Sequence, residues 1–427
     1  MKNFIKQIFS NSKNLNLIKN NIKSLSKKTS ISKIFKAINS YSAESEIRYV
    51  GGCLRKIINN EQVDDIDLAT NLDPSEVSII LKKNKINFYE SGIEHGTITA
   101  VIDDYKFEIT SLREDILTDG RHAKVQFSKD WKLDASRRDF TINSIYSDFE
   151  GNLFDPFDGK KDLEKGEINF IGNAEKRIQE DYLRILRYLR FFINYSKQPH
   201  NEKIIKSIKV NIIGISRISK ERLLDELKKL FSSDCLEKLH KDKFGLELLE
   251  LIFPELKNIK SILKLFKSKK KLFKDLDFIF ILSLMIIDGT DNLDYFLYKY
   301  NISNKDQKRI KIIDDFFKEK KELKYLDETK LNKIFYYRGK QAVLDILNFK
   351  IVKSKKLDNE LISLQELFKK KTLPSLPIGA GLLMSKYKIP EGKQLGIMLK
   401  LIEEEWVKNN FRISDKKIDS IVNTKDI

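Results

Sequence analysis

The chain changes its hydrophobic period once. Between residues 47 and 160 apolar and polar positions alternate in short runs. TITAVID (97–103), YKFEITSL (105–112) and residues 124–128 have period two and predict strands. Stretches near 53–60, 74–84 and 136–147 predict helices, and polar, Gly-containing segments separate the elements. From about residue 161 the pattern is helical almost throughout, as at 174–196, 219–232, 235–251, 257–274 and 395–410. Three of the seven prolines fall at 374–390 and mark a late connector. No internal repeat is evident. The predicted fold class is α+β, a compact mixed head followed by a long helical arm.

Within the head, residues 49–70 concentrate the candidate chemistry. A strand-like lead (Ile47, Tyr49, Val50) runs into Gly51-Gly52, a short helical stretch carries Arg55, and Asp65-Ile66-Asp67 follows. Alternation on a strand puts Asp65 and Asp67 on one face and Ile66 in the core. Two carboxylates about 6.6 Å apart along a strand repel each other, and a divalent cation between them relieves the repulsion. Alone, the pair reads more readily as part of an Asp-rich turn than as a metal site. Glycines let a backbone approach phosphates closely. Phosphates, a metal pair and an arginine suggest phosphoryl or nucleotidyl transfer. Glu108 lies on a second predicted strand, where it is either a third carboxylate across the sheet or an ordinary solvent-facing residue.

Two further strings add cations. SRRDFTINSIYSDFEGNLFDPFDG (136–159) reads as a helix start, with Arg137 and Arg138 ahead of Asp139. Adjacent arginines cannot share a helix face, so one is expected to meet phosphate and the other a structural acid. An arginine fork suits a triphosphate. Asn143, one turn after Asp139, could contact a ribose hydroxyl. In EDYLRILRYLRFF (180–192), Asp181, Arg184, Arg187 and Arg190 recur every three residues on one drifting helix face. Three arginines there need phosphates or carboxylates to answer them, although an exposed Arg stripe is also common. Lys257, Lys260, Lys264, Lys267, Lys271 and Lys274 form another stripe, read as a solvated face or as a track for RNA phosphates.

Composition narrows the choice of partner. The 427 residues carry a net charge of +18, which suits a polyanion, most plausibly nucleic acid. No run approaches the ~18 apolar residues of a membrane span, so no membrane partner is expected. Two cysteines exclude a disulfide framework, and four scattered histidines show neither metal-ligand spacing nor a phosphohydrolase-type His-Asp pair. Residues 1–43 hold nine lysines and no Asp, Glu or Arg. Such a start resembles an organelle transit segment, which favours Arg. A bacterial N-terminal helix pair is the preferred reading, with a cytoplasmic location, or the mitochondrial matrix if the segment is a leader.

Four strings occur in order: GG-x-x-R, D-x-D, R-R-D-F-T-I-N and E-D-x-x-R-x-x-R-x-x-R-F. Together, from about 47 to 232, they resemble the class II tRNA nucleotidyltransferases, the CCA-adding enzymes, and their relatives the bacterial poly(A) polymerases. Residues 107–131 and 179–192 are most similar to the alphaproteobacterial and mitochondrial branch, as is a stretch near 377–406. The resemblance implies a polymerase-β-like nucleotidyltransferase head, then an all-α neck, body and tail. The expected limits are 1–46 for a basic extension, 47–160 for the head, 161–232 for the neck, 233–360 for the body and 361–427 for a tRNA-binding tail. It implies addition or repair of the 3′-terminal CCA of tRNA from CTP and ATP, with Mg²⁺ and no nucleic-acid template.

By the same resemblance, Gly51, Gly52 and Arg55 lie at the triphosphate, and Asp65 and Asp67 hold Mg²⁺. Arg138 contacts ribose or triphosphate, Asp181 and Arg184 read the base edge, and Arg187 and Arg190 hold phosphate or support the readers. Residues 113–136 correspond to the family's flexible loop and 219–231 to its neck helix. The sequence departs from the family at Lys56, where Asp is usual, and at Pro390-Glu391-Gly392-Lys393. Poly(A) polymerase and a non-catalytic RNA-binding protein are the alternatives.

Overall fold

The structure is a computed structural model describing residues 2–63, 65–118, 123–231, 235–268, 270–273, 276–318, 327–354 and 358–423. It divides into two compact units, Met1–Cys235 and Leu236–Ile427.

The first unit opens with two helices, α1 (Lys2–Thr29) and α2 (Ser32–Asn39). A mixed sheet follows, interleaved with helices. In chain order these are β1 (Ile47–Val50), α3 (Gly52–Ile58), β2 (Ile66–Thr70), α4 (Pro74–Lys83), β3 (Asn87–Gly92), β4 (Thr97–Ile102) and β5 (Tyr105–Ser111). Then come β6 (Arg113–Thr118), β7 (Ala123–Phe127), α5 (Trp131–Ser136), β8 (Tyr146–Ser147) and β9 (Leu153–Phe154). The sheet order is β3-β4-β5-β2-β1-β8-β9, and β6 and β7 form a separate hairpin. Among the described residues only β2 and β5 pair in parallel. The unit ends in helices α6 (Gly159–Lys165), α7 (Ala174–Glu180), α8 (Leu183–Tyr195), α9 (Glu202–Asn211) and α10 (Lys220–Phe231).

Strand alternation sorts β1 and β2 into two faces. Tyr49, Ile66 and Leu68 join Ile18, Ile22, Ile34, Phe35, Leu54 and Phe107 in the main core, so α1 and α2 cover one side of the sheet. Val50 and Ala69 face the other way and pack with Leu112, Ala135 and Tyr146. Asp67 lies on this second face, between core-facing Ile66 and Leu68. Asn21 fastens α1 by donating from Nδ2 to the Ile57 carbonyl at 3.1 Å. A capping box between Asp73 and Glu76, with Pro74 at the first helical position, starts α4 where the sequence predicts.

Three predicted helices are corrected, and one of them, 235–251, is split at 240–242 into Cys235–Leu239 and Lys243–Ile252. Residues 136–147 are not helical throughout: α5 ends at Ser136, one 3₁₀ turn spans Thr141–Asn143, and β8 begins at Tyr146. Asp139 accepts from the Phe140 N–H at 2.9 Å and from Asn143 Nδ2 at 2.7 Å, local bonds that compete with a helix. Buried Phe140 packs on Phe170, their ring centres 4.7 Å apart. The stretch 174–196 breaks at Asp181, whose backbone is extended. Tyr182 then packs against Gly214 so closely that a Cβ at 214 would lie 2.0 Å from its ring.

The second unit is helical among its described residues. Leu331, Phe335, Val343, Leu347, Leu361 and Phe368 form one core cluster, and Ile378, Leu383, Leu395, Ile402 and Ile418 form another. Lys257, Lys260, Lys264 and Lys267 are exposed, and Lys260 pairs with Glu250 at 2.8 Å. The side chains of Lys271 and Lys274 lie outside the described residues. No described helix is long and apolar enough to cross a membrane.

Ile22 is fully buried between α1 and the sheet. Ile22→Ala is expected to cost the first unit about 2–5 kcal/mol, read as lost hydrogen-exchange protection in β1, β2 and α3.

Candidate active site

A cavity of about 700 Å³ opens in the first unit. Gly51, Gly52, Arg55, Asp65, Asp67, Arg138, Asn143, Asp181, Arg184, Arg187 and Arg190 all line it, so four separated strings of sequence converge there. Glu108 does not line it, but stands beside Asp67 in the β2–β5 register and shares its face.

The turn between β1 and α3 explains its glycines. Gly51 has φ +67°, a left-handed conformation that disfavours a side chain. A Cβ at Gly52 would sit 3.5 Å from Asp67 Oδ2, and the Gly52 N–H donates to the Asp67 carboxylate. Burial raises the Asp67 carboxyl above its ordinary value, aided by Asp65 and opposed by Arg138 and Arg55. Burial also raises Glu108, with Asp67 and Asp65 adding repulsion. Asp67 and Glu108 thus sit on an acidic edge beside Asp65, and carboxylate oxygens are the donors a hard divalent cation takes. Among the described residues no three or more His, Cys, Asp or Glu side chains form a group that could hold a metal ion.

The guanidinium groups are held by acids. Asp134, only 1% exposed, takes Arg137 at 2.7 Å, Arg138 at 3.0 Å and the Tyr146 hydroxyl at 2.6 Å. The sequence divides Arg137 and Arg138 between a phosphate and an acid; the structure gives both to one acid. Burial would raise the Asp134 carboxyl, but Arg138 and Arg137 outweigh it and hold it well below the usual carboxylate range. Asp139 is treated alike: burial raises it, and Arg187, at 2.5 Å, with Asn143 brings it well below. Asn143 Oδ1 in turn accepts from Arg55, whose guanidinium lies 4.7 Å from the Phe191 ring centre. Arg55 is thus placed by Asn143 and Phe191, and Lys56 follows it in the chain.

Each arginine of α8 meets a carboxylate. Arg184 donates to Glu180 at 2.6 Å and to the Arg177 carbonyl at 2.7 Å. Arg187 pairs with Asp139, and Arg190 with buried Glu226 of α10. Asp181 accepts from Arg222 of α10 at 2.7 Å and from the Leu183 N–H at 3.1 Å. Arg113, Asp139, Glu180, Phe191, Arg222 and Lys229 line the cavity without having been site candidates in the sequence. Arg222 and Lys229 fall within the predicted neck helix, so position on that helix is the one signal that could have found them.

Residues 47–169 match the family described as "Poly A polymerase head domain", and residues 201–260 match "Probable RNA and SrmB- binding site of polymerase A". The chain is 33% identical over 399 residues to the mitochondrial CCA tRNA nucleotidyltransferase 1 of Mus musculus, covering 88% of this chain and 86% of that one. It is 31% identical over 370 residues to the CCA-adding enzyme of Streptococcus uberis, covering 84% of this chain and 88% of that one. In fold it is similar to the Bacillus stearothermophilus CCA-adding enzyme solved in complex with CTP, with TM-score 0.67 and 20% identity over 91% of this chain and 95% of that one.

Asp134→Asn is expected to cost the first unit about 3–5 kcal/mol near neutral pH, because it leaves two partly buried guanidinium groups without their anion. The native carboxyl titrates below its unfolded value of about 3.9, so its stabilisation is complete above that pH and fades as pH falls further. Denaturant curves of the two proteins should therefore lie apart at pH 6 and begin to approach each other only as the pH falls below about 4.

Proposed function

The chain belongs to the class II CCA-adding tRNA nucleotidyltransferases, and from that premise we propose that the cavity of its first unit carries out CCA addition. The supporting observation is that Asp65 and Asp67 line the same space as the Gly51-Gly52 turn, Arg138 and the arginines of α8. The reaction joins the tRNA 3′-oxygen to the α-phosphorus of CTP or ATP. It breaks the α–β phosphoanhydride bond and releases pyrophosphate.

The residues divide this work. The Gly51-Gly52 backbone gives a triphosphate room, and Arg55, Arg138, Arg187 and Arg190 surround it with positive charge. Asp65 and Asp67 would hold Mg²⁺, and Glu108 adds its charge to the same edge. The chemistry supplied at that edge by bound Mg²⁺ is activation of the 3′-hydroxyl and neutralisation of the leaving pyrophosphate. Asn143, fixed by Asp139, offers its amide to the ribose.

Asp181 and Arg184 present one acceptor and one donor. Cytosine and adenine both offer an amino group beside an unprotonated ring nitrogen. That pattern satisfies an Asp–Arg pair, while the carbonyl and ring N–H of guanine and uracil leave it unmatched, at about 1–3 kcal/mol per unsatisfied group. Both readers are engaged by Arg222 and Glu180, so a base exchanges one set of polar partners for another.

The finer division of the chain is part of the same reading. The first unit comprises extension, head and neck. The second comprises body and tail, with the tail starting after the helix Asn359–Lys370, whose Leu361 and Phe368 pack into the body's core. tRNA transcripts ending before CCA, after C and after CC, given CTP and ATP separately, test the assignment. Growth by C, C and A in turn supports it, and long tails from ATP alone on a non-tRNA RNA overturn it in favour of poly(A) synthesis.

Asp67→Ala should abolish incorporation while tRNA binding, followed by gel shift, persists; residual nucleotide addition would remove Asp67 from the metal site. Arg184→Ala should admit GTP and UTP more than it slows chemistry, seen in single-nucleotide incorporation. An equal loss with all four nucleotides would mean that Arg184 does not read the base.

A further inference from the structure

The N-terminal helices carry charge that the cavity does not use. All 62 acidic residues of the chain lie beyond residue 43, whereas residues 1–43 hold nine lysines. A coding bias toward lysine would not also empty the segment of Asp and Glu.

The fold turns this composition into a surface. Ile18 and Ile22 of α1 are buried in the main core, with Leu25 packed against it. Lys19, Lys23 and Lys27 follow at four-residue intervals on a row turned away from that stripe, about 6 Å apart along the axis. Lys23, Lys27 and Lys28 are exposed, as are Lys33 and Lys36 on the outer side of α2. None of these lysines forms an ion pair among the described residues. Like charges at four-residue spacing repel, and no acid of the segment relieves them. Residues 1–39 contribute nothing to the lining of the catalytic cavity.

We infer that α1 and α2 form a docking surface for the phosphate backbone of the RNA substrate, separate from the cavity and indifferent to sequence. The inference rests on the tRNA substrate assigned above. A helix that binds a membrane surface turns its apolar face to the lipid. Here that face is taken by the head, and the described outer positions of α1 are mostly Asn, Ser and Lys. A row of fixed cations suits the regularly spaced charges of a nucleic-acid strand.

The test is the full chain carrying K23Q, K27Q, K28Q and K33Q, four exposed positions at which Gln keeps the helix propensity of Lys. tRNA affinity is measured across a salt series together with steady-state kinetics. The expected result is a KM for tRNA raised about tenfold near 0.1 M salt, with kcat and the KM for CTP unchanged. The slope of log K against log salt should shrink by about 0.7–0.9 for each phosphate that the variant no longer neutralises. An unchanged slope and tRNA KM would overturn the inference. So would lysine-dependent binding to vesicles of anionic phospholipid with the RNA slope intact. The salt slope needs no turnover, so it is independent of whether the unaltered chain extends tRNA, which tests the functional reading.

Discussion

A cavity lined by arginines needs partners for its guanidinium groups when no substrate is there, and here most of those partners are acids. Nine cationic and five acidic side chains line this one, leaving an excess of positive charge. Behind the lining, Asp134 and Glu226 are almost fully buried and supply the remaining counter-charge. These acids cost desolvation energy, and they are retained because arginines answer them at hydrogen-bonding distance. Asp134 fixes Arg137, Arg138 and Tyr146 together, and Asp139 fixes Arg187 and Asn143. The result is a set of preorganised donors whose geometry does not have to form at the moment of reaction.

The same pairing ties the N-terminal end of α8 to α10. Arg190 reaches Glu226, and Asp181 reaches Arg222, so two ion pairs join the helices across 36 and 41 residues of chain. The start of α8 and the helix α10 are therefore held together by charge. The extended backbone at Asp181 is what makes this possible, since a continuous helix through 174–196 would carry its side chain along α7 rather than at the start of α8.

Much of this site is legible in the sequence, for a physical reason. Alternation on a strand and spacing on a helix are local rules, and they place Asp65, Asp67 and the α8 arginines without knowledge of the fold. Partners drawn from distant segments obey no such rule. Arg222 with Asp181, and Glu226 with Arg190, have no pattern that links them in sequence. Asp134 is hidden for the opposite reason, being a buried acid inside a stretch that reads as an ordinary charged loop and helix. The helix expected over 136–147 fails because Asp139 and Asn143 satisfy local donors and acceptors outside a helix. The edge strand β3 and the short strands β8 and β9 escape because they are too brief or too irregular for alternation to show.

Lys56 shows how tertiary contacts substitute for a missing neighbour. Where the family usually has an acid beside the first arginine, this chain has a cation, so Arg55 cannot be steadied from the next position in sequence. Its guanidinium is steadied instead by Asn143 and by the Phe191 ring. Asn143 has the orientation to accept only because its own amide is committed to Asp139, and Asp139 is committed to Arg187. The glycine turn and the arginine helix are therefore joined by a chain of four polar side chains, each of which sets the direction of the next. That chain links α3 to α8 through the 3₁₀ turn at Thr141–Asn143.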